Sequence, residues 1–238
     1  MVRRQETVGT TRARRGAFTA GSRGRPEVGM QVRRLAVDGA YAFSPQVFRD
    51  DRGLVVSHFQ EDALVGAIGR PLFPVAHASH STSRRGTVRG IHFTATPPGT
   101  AKYVYCPRGR TLDIVVDIRV GSPTFGRWDS EVLDPEGFRA VYLPIGVGHA
   151  AVALEDHTIM HYMWSGPYVA EQEMALAALD PALALPLPGG IEPVLSPRDS
   201  AAPTLAEAGA RGILPRYDEC RKLEEALAGA RPTGPGTL

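Results

Sequence analysis

Seven histidines, at 58, 77, 80, 92, 149, 157 and 161, are the first residues to consider for chemistry. Clustered His and Glu on neighbouring strand positions would suit a metal ion, but the spacing here does not supply such a set. His77 and His80 are three residues apart, so a regular strand points them to opposite faces, and no His-x-His pair occurs. His92 and His149 stand alone in apolar runs, and Cys106 and Cys220 lack ligand spacing. No metal ligand set is therefore assigned. An imidazole titrates nearest neutral pH and is the commonest general base, so a lone strand histidine acquires a chemical role only from its surroundings.

Those surroundings are strands. From Met30 to about Leu187, short apolar or alternating runs recur between turn signals: GLVVSHF, RPLFPVAHASHS, GTVRGIHF, AKYVYC, TLDIVVDIRV, AVYLPI, GHAAVAL and TIMHYMW. DDRG, PPG, RGR, VGSPTFG and DPEG punctuate them as tight turns. With 26 Gly and 20 Pro in 238 residues, this pattern predicts an all-β sandwich or barrel. Helical pattern is read only late. Thr204 can cap LAEAGARG, and Pro215 can occupy the first turn of a helix through DECRKLEEALAGA. Three segments follow: a basic leader over 1–29 expected to be disordered, a core over 30–190, and a C-terminal segment over 191–238 that packs on the core and frays at its end.

Charge excludes some roles. The net charge of +2 divides into +5 in the leader, which holds seven Arg against Glu6 and Glu27, and −3 in the remainder. The folded part thus gives no support for nucleic-acid binding. No apolar run approaches the roughly 18 residues that a membrane span requires. Two cysteines make no disulfide framework, and the leader has no apolar stretch like that of a secretory signal, so a reducing cytoplasm is the expected compartment.

The text around His92 goes further. R-G-I-H-F at 89–93, A-K at 101–102 and L-D-I-V-V-D-I-R-x-G-S-P-T-F-G at 112–126 resemble the deoxysugar-nucleotide epimerases, best known as dTDP-4-dehydrorhamnose 3,5-epimerases. D-D-R-G at 50–53, H-S-x-S at 80–83, P-x-G-x-x-H at 144–149, Tyr162 with Tyr168, and L-S-P-R-D at 195–199 extend the resemblance from Met30 to about Tyr217. It implies an antiparallel jelly-roll sandwich of the cupin kind with short C-terminal helices. It also implies a homodimer whose N-terminal strand reaches the partner, and a dTDP-linked 4-keto-6-deoxy sugar as substrate, epimerised without a cofactor. By the same resemblance His92 is the base, Asp199 orients it, Lys102 faces the developing enolate oxygen and Tyr162 returns a proton. Arg52 and Arg89 would hold the diphosphate, and His149, Tyr168 and Ser79 would line the pocket. Arg89 and His92 are three apart and would diverge on a straight strand, so a bulge at Gly90 is expected.

Several positions depart from the family pattern. Ser57 stands where the family usually has Glu, Thr94 replaces an amide, Ser79 begins the family's N-H-S, and Pro167 replaces one of the paired tyrosines. These changes leave the proton-transfer residues in place and fit a secondary-metabolite sugar pathway at least as well as rhamnose synthesis. Two other readings fit a fold of this class. A metal-dependent cupin oxygenase or isomerase would show metal in the purified protein, and a silent sugar-nucleotide binder would turn over no 4-keto sugar. Because the leader has little apolar surface to bury, a chain starting at Met30 should melt within about 2 °C of the full chain and keep its activity. Thermal denaturation of both forms is the check.

Overall fold

The computed structural model describes residues 29–229, so the readings made on the leader and on the final nine residues lie outside the described residues. Two antiparallel sheets form a jelly-roll sandwich. The first runs β1 (Gln31–Arg34), β2 (Tyr41–Ser44), β10 (Ala140–Leu143), β7 (Lys102–Arg108), β12 (Thr158–Trp164) and β5 (His77–Ser83). The second runs β13 (Glu173–Ala175), β6 (Val88–Thr94), β11 (Gly148–Ala153), β8 (Thr111–Val116) and β9 (Trp128–Leu133). A separate hairpin pairs β3 (Val47–Asp50) with β4 (Gly53–Val56).

Apolar residues fill three layers. Val104, Val141 and Met160 of the first sheet meet Val115 and Leu133 of the second between the sheets. The outer face of the second sheet, including Ile91, Phe93 and Ile114, is covered by Leu176, Leu183 and Leu214 of the C-terminal segment. The outer face of the first is covered at Phe43, Tyr103 and Tyr142 by Leu64, Leu72 and Phe73, with Leu223 at its rim. Burial of this apolar area is the main stabilising term.

Three readings are revised by the structure. A helix absent from the sequence reading, α1 (Glu61–Ile68), has Glu61 and Asp62 in its first turn and closes at Gly69 in the left-handed region (φ +75°). Its eight residues are short for periodicity to register, and the apolar runs on either side of it have the text of strands. Of RPLFPVAHASHS, the strand occupies His77–Ser83, while Leu72 and Phe73 act as core anchors from an irregular segment. Pro215 does not open the last helix; its carbonyl accepts from the Val120 amide, and α4 begins at Tyr217 (Tyr217–Gly229). Between them, α2 (Pro197–Ser200) is capped by Ser196, and α3 (Leu205–Ala210) has the expected Thr204 cap, reciprocated by Glu207 in a capping box. Strand β9 also escaped the sequence reading, because its Asp129 and Glu131 bind Arg33 and give WDSEVL a polar text.

The D-I-R-x-G-S-P-T-F-G stretch is a structural lock. Arg119, 1 % exposed, donates through Nε and Nη2 to the two oxygens of Asp117 at 2.9 and 2.8 Å and through Nη2 to the Asp38 carbonyl at 2.8 Å. Ser122 and Thr124 hydroxyls donate to the same carboxylate, and the Tyr217 ring lies 5.0 Å from the Arg119 guanidinium carbon. A buried ion pair so fully hydrogen-bonded fixes the β8–β9 turn against the start of α4.

The expected irregularity occurs at Gly90. His149 of β11 faces His92, but two positions on, Ala151 faces Arg89, so β6 carries one surplus residue. Gly90 has φ +115°, and a Cβ there would lie 2.3 Å from the His149 carbonyl oxygen. Gly90→Ala should therefore cost at least about 2 kcal/mol, from strain and displaced backbone together. Gly189→Ala, with nothing within 4 Å of its added Cβ, is the control, and both are read by chemical denaturation.

Candidate active site

The bulge sends Arg89 and His92 into one cavity of about 360 Å3 between the sheets, closed at one side by α2. His92 Nε2 lies 2.7 Å from Oδ1 of Asp199, leaving the other ring nitrogen for a substrate. Asp199 sits on α2, where its amide donates to Ser196 Oγ at 3.1 Å and its carboxyl is 5 % exposed. Burial pulls the His92 pKa below the ordinary imidazole value; the Asp199 hydrogen bond and charge oppose that, while Arg198 and Lys102 add to it. At neutral pH His92 is thus mainly uncharged and able to accept a proton.

Across the cavity, the first sheet supplies Lys102 and Tyr162. Lys102 starts β7 opposite Trp164 of β12, and its Nζ rests 4.1 Å from the Trp164 ring centroid. Burial lowers its pKa to about 8, opposed by Glu173 and assisted by Arg198. Tyr162, also on β12, is shifted the other way: burial raises its pKa, a long 3.5 Å contact with Ser81 Oγ works against this, and Asp113 adds to the rise. A phenol so placed stays protonated at neutral pH and is suited to give a proton away.

His149 belongs to a second dyad. Its Nε2 is 2.6 Å from Oδ2 of Asp113, a residue with no exposure whose Oδ1 has no hydrogen-bond partner, and its ring meets Tyr162 edge-on at 6.1 Å. The pairing follows from register: His149 faces Val115, so Asp113, two positions on, is its diagonal neighbour on the same face. Ser79 also lines the cavity, with its hydroxyl accepting from Trp164 Nε1 at 3.1 Å, and Tyr168, half-exposed at the mouth, packs edge-on to Trp164. Arg89 is steadied by Ser83 Oγ at 3.0 Å.

Of the residues singled out from sequence, the structure brings together His92, Asp199, Lys102, Tyr162, Arg89, His149, Tyr168 and Ser79. Arg52 is the exception: it sits on the β3–β4 turn, bound to Asp50 at 2.6 Å and exposed, outside this cavity. The reason is topological, since the hairpin pairs only with itself. Sequence reading missed Asp113, Glu173 and Arg198. Asp113 carried a usable signal, because an acid inside an apolar strand requires a buried partner. Among the described residues, no three or more His, Cys, Asp or Glu side chains converge in a manner that would hold a metal ion.

Comparison with known proteins agrees with this geometry. The family model described as dTDP-4-dehydrorhamnose 3,5-epimerase matches residues 34–207. A dTDP-4-dehydrorhamnose 3-epimerase of Streptomyces niveus is 46 % identical over 192 residues, covering 81 % of this chain and 92 % of the relative. The crystal structure of NovW, a 4-keto-6-deoxy sugar epimerase from the novobiocin biosynthetic gene cluster of Streptomyces spheroides, superposes with a TM-score of 0.77 at 46 % identity, covering 81 % of this chain and 96 % of that one. ChmJ, a 3'-monoepimerase of Streptomyces bikiniensis solved with dTDP-quinovose, gives a TM-score of 0.77 at 43 % identity over 82 % and 98 % of the two chains. With its dyad, lysine and tyrosine disposed around one cavity and this match along most of its length, the chain belongs to the dTDP-4-dehydrorhamnose 3,5-epimerase family.

Proposed function

We propose that this protein epimerises a dTDP-linked 4-keto-6-deoxyhexose at C-3, C-5 or both, in deoxysugar biosynthesis of the kind that serves antibiotics. C-3 is the inversion shared by the family description, the Streptomyces niveus relative and ChmJ. The observation that carries the reading is an imidazole and a phenol facing one cavity from opposing sheets, His92 on β6 and Tyr162 on β12, which suits them to act as base and acid.

The ketone acidifies the hydrogens on its flanking carbons. His92 takes one of these protons, and Asp199 holds the ring and stabilises the imidazolium that results. The electron pair moves onto the C-4 oxygen, where the Lys102 ammonium meets the developing charge; a preorganised donor of this kind contributes roughly 2.7 to 4 kcal/mol. Tyr162 then delivers a proton to the opposite face of the same carbon, inverting it, and the cycle closes when His92 releases its proton to solvent and the Tyr162 phenolate takes one back. None of these steps calls for a cofactor. Arg89 suits the diphosphate because a guanidinium offers paired donors and permanent charge. His149, Tyr168 and Ser79 line the remainder of the pocket.

The active unit in this reading is a homodimer. Phe48, Leu54 and Val55 leave large apolar area uncovered on the β3–β4 hairpin, and a partner subunit would cover it while receiving Arg52 at its own diphosphate site. Two buried free cysteines are compatible with a reducing cytoplasm, and no helix among the described residues is long and apolar enough to cross a membrane.

Two experiments test the mechanism. In heavy water with dTDP-4-keto-6-deoxyglucose, Tyr162→Phe should incorporate deuterium beside the ketone while inversion falls on the order of 100- to 10,000-fold, and His92→Ala should do neither. NMR of the ring also shows which carbon exchanges, and a Phe variant that epimerises at the normal rate would remove Tyr162 from the mechanism. The pH dependence of kcat/KM should be bell-shaped, its acid limb below the ordinary imidazole range because burial lowers His92, its alkaline limb near 8 from Lys102. Asp199→Asn should cut the rate by about 10,000-fold, as loss of the orienting carboxylate does in other His-Asp pairs. Because that carboxylate raises the His92 pKa, its removal should also move the acid limb to lower pH. An acid limb that stays in place would detach Asp199 from the base.

A further inference from the structure

Lys102 is almost wholly buried, yet among the described residues its ammonium has the Trp164 ring as its one close partner and no direct carboxylate ion pair. A lone cation in such a place tends to lose its proton, and with it its use to a developing enolate. The neighbouring charges are of both signs. Arg198 and the His92–Asp199 dyad line the same cavity from α2 and β6, Tyr162 and His149 from β12 and β11, and Glu173 from β13. Glu173 is the carboxylate there that is not already given to a histidine.

Glu173 is fixed by an unusual arrangement. Thr94 of β6, its cross-strand neighbour, donates from Oγ1 to Glu173 Oε1 at 2.6 Å. Thr94 has a single hydroxyl proton, so its close contact with Thr100 Oγ1 is one in which Thr100 donates. All three residues are buried, and Arg198 Nη2 donates to the Glu173 carbonyl at 2.7 Å, tying β13 to the helix that carries Asp199. The Thr100–Thr94–Glu173 chain makes no hydrogen bond to His92, Asp199 or Tyr162, so the proton transfers themselves do not use it.

We propose that Glu173, held by the Thr94–Thr100 hydroxyl pair, is a positioning residue that keeps Lys102 a cation inside the cavity. The role in catalysis rests on the epimerase reading; the electrostatic coupling does not. Thr94 stands where the family usually has an amide, so in this chain a hydroxyl pair sets the Glu173 carboxylate. The burial-lowered value of about 8 for Lys102 already includes the opposing pull of Glu173.

The chain has two lysines, Lys102 and Lys222, and Lys222 is exposed, so carbon-13 NMR of protein labelled at the lysine Cε gives one signal of interest and one internal control. Glu173→Gln should lower the Lys102 titration midpoint by about one pH unit, the size expected for loss of a nearby opposite charge, and leave Lys222 unmoved. Thr94→Val should shift it in the same direction by less, and Thr94→Ser should restore the wild-type midpoint. The alkaline limb of kcat/KM should follow in each variant. A Lys102 midpoint that does not move in either Glu173→Gln or Thr94→Val overturns the proposal. Should the midpoints move as expected while no 4-keto sugar is turned over, the coupling stands and the epimerase reading falls.

Discussion

One surplus residue on β6, at Gly90, turns a strand that would point Arg89 and His92 apart into one that directs both into the same cavity. The rest of the site is organised about that displacement. The close approach of Gly90 to β11 sets the position of His149, and the strand beyond the bulge is straight enough for β13 to pair with it, bringing Glu173 opposite Thr94 and Ala175 opposite His92. The Ile91 amide and carbonyl bond both ways to Leu176, so the chain that leads from β13 to α2 is anchored at the same spot. A side chain at position 90 would disturb His92, Arg89 and the segment that leads to Asp199 together.

Burial then sorts the protonation states in the direction each proposed role requires. The same loss of hydration lowers His92 towards the free base, raises Tyr162 towards the acid, and brings Lys102 close to its own titration. Asp199 and Glu173 each oppose burial at one of the two basic groups. A single cavity between two sheets can thus hold an acceptor, a donor and a cation at neutral pH. The opposing sheets contribute the other requirement, because a planar enolate can be approached from both faces only by groups on separate walls.

How much of this the sequence disclosed depends on the length scale of each signal. Strands with two-residue alternation were readable, and TIMHYMW coincides with β12 residue for residue. The Thr204 cap was readable because it is local. Helix α1 was not, being too short for its periodicity to stand out, and β9 was hidden by acids whose partner, Arg33, lies nearly a hundred residues away. The D-I-R-x-G-S-P-T-F-G text marked the family, yet its Asp117 and Arg119 serve the framework. Proton-transfer candidates came from motif resemblance, and the Gly90 irregularity from the three-residue spacing of two residues that the resemblance assigned to one site. The Asp113–His149 and Glu173–Thr94 partnerships depend on cross-strand register, which no single stretch of sequence contains.

The His92–Asp199 bond joins residues 107 positions apart, with the carboxylate arriving on a short helix late in the chain. During synthesis every strand of both sheets leaves the ribosome before that helix does. A nascent sandwich could therefore begin to collapse around an empty, unoriented histidine, and it becomes competent only when the last fifth of the polypeptide docks over the second sheet. Loss of that tail would remove the carboxylate that orients His92 and at the same time uncover the outer face of the second sheet, so the dyad and the fold are completed by the same docking event.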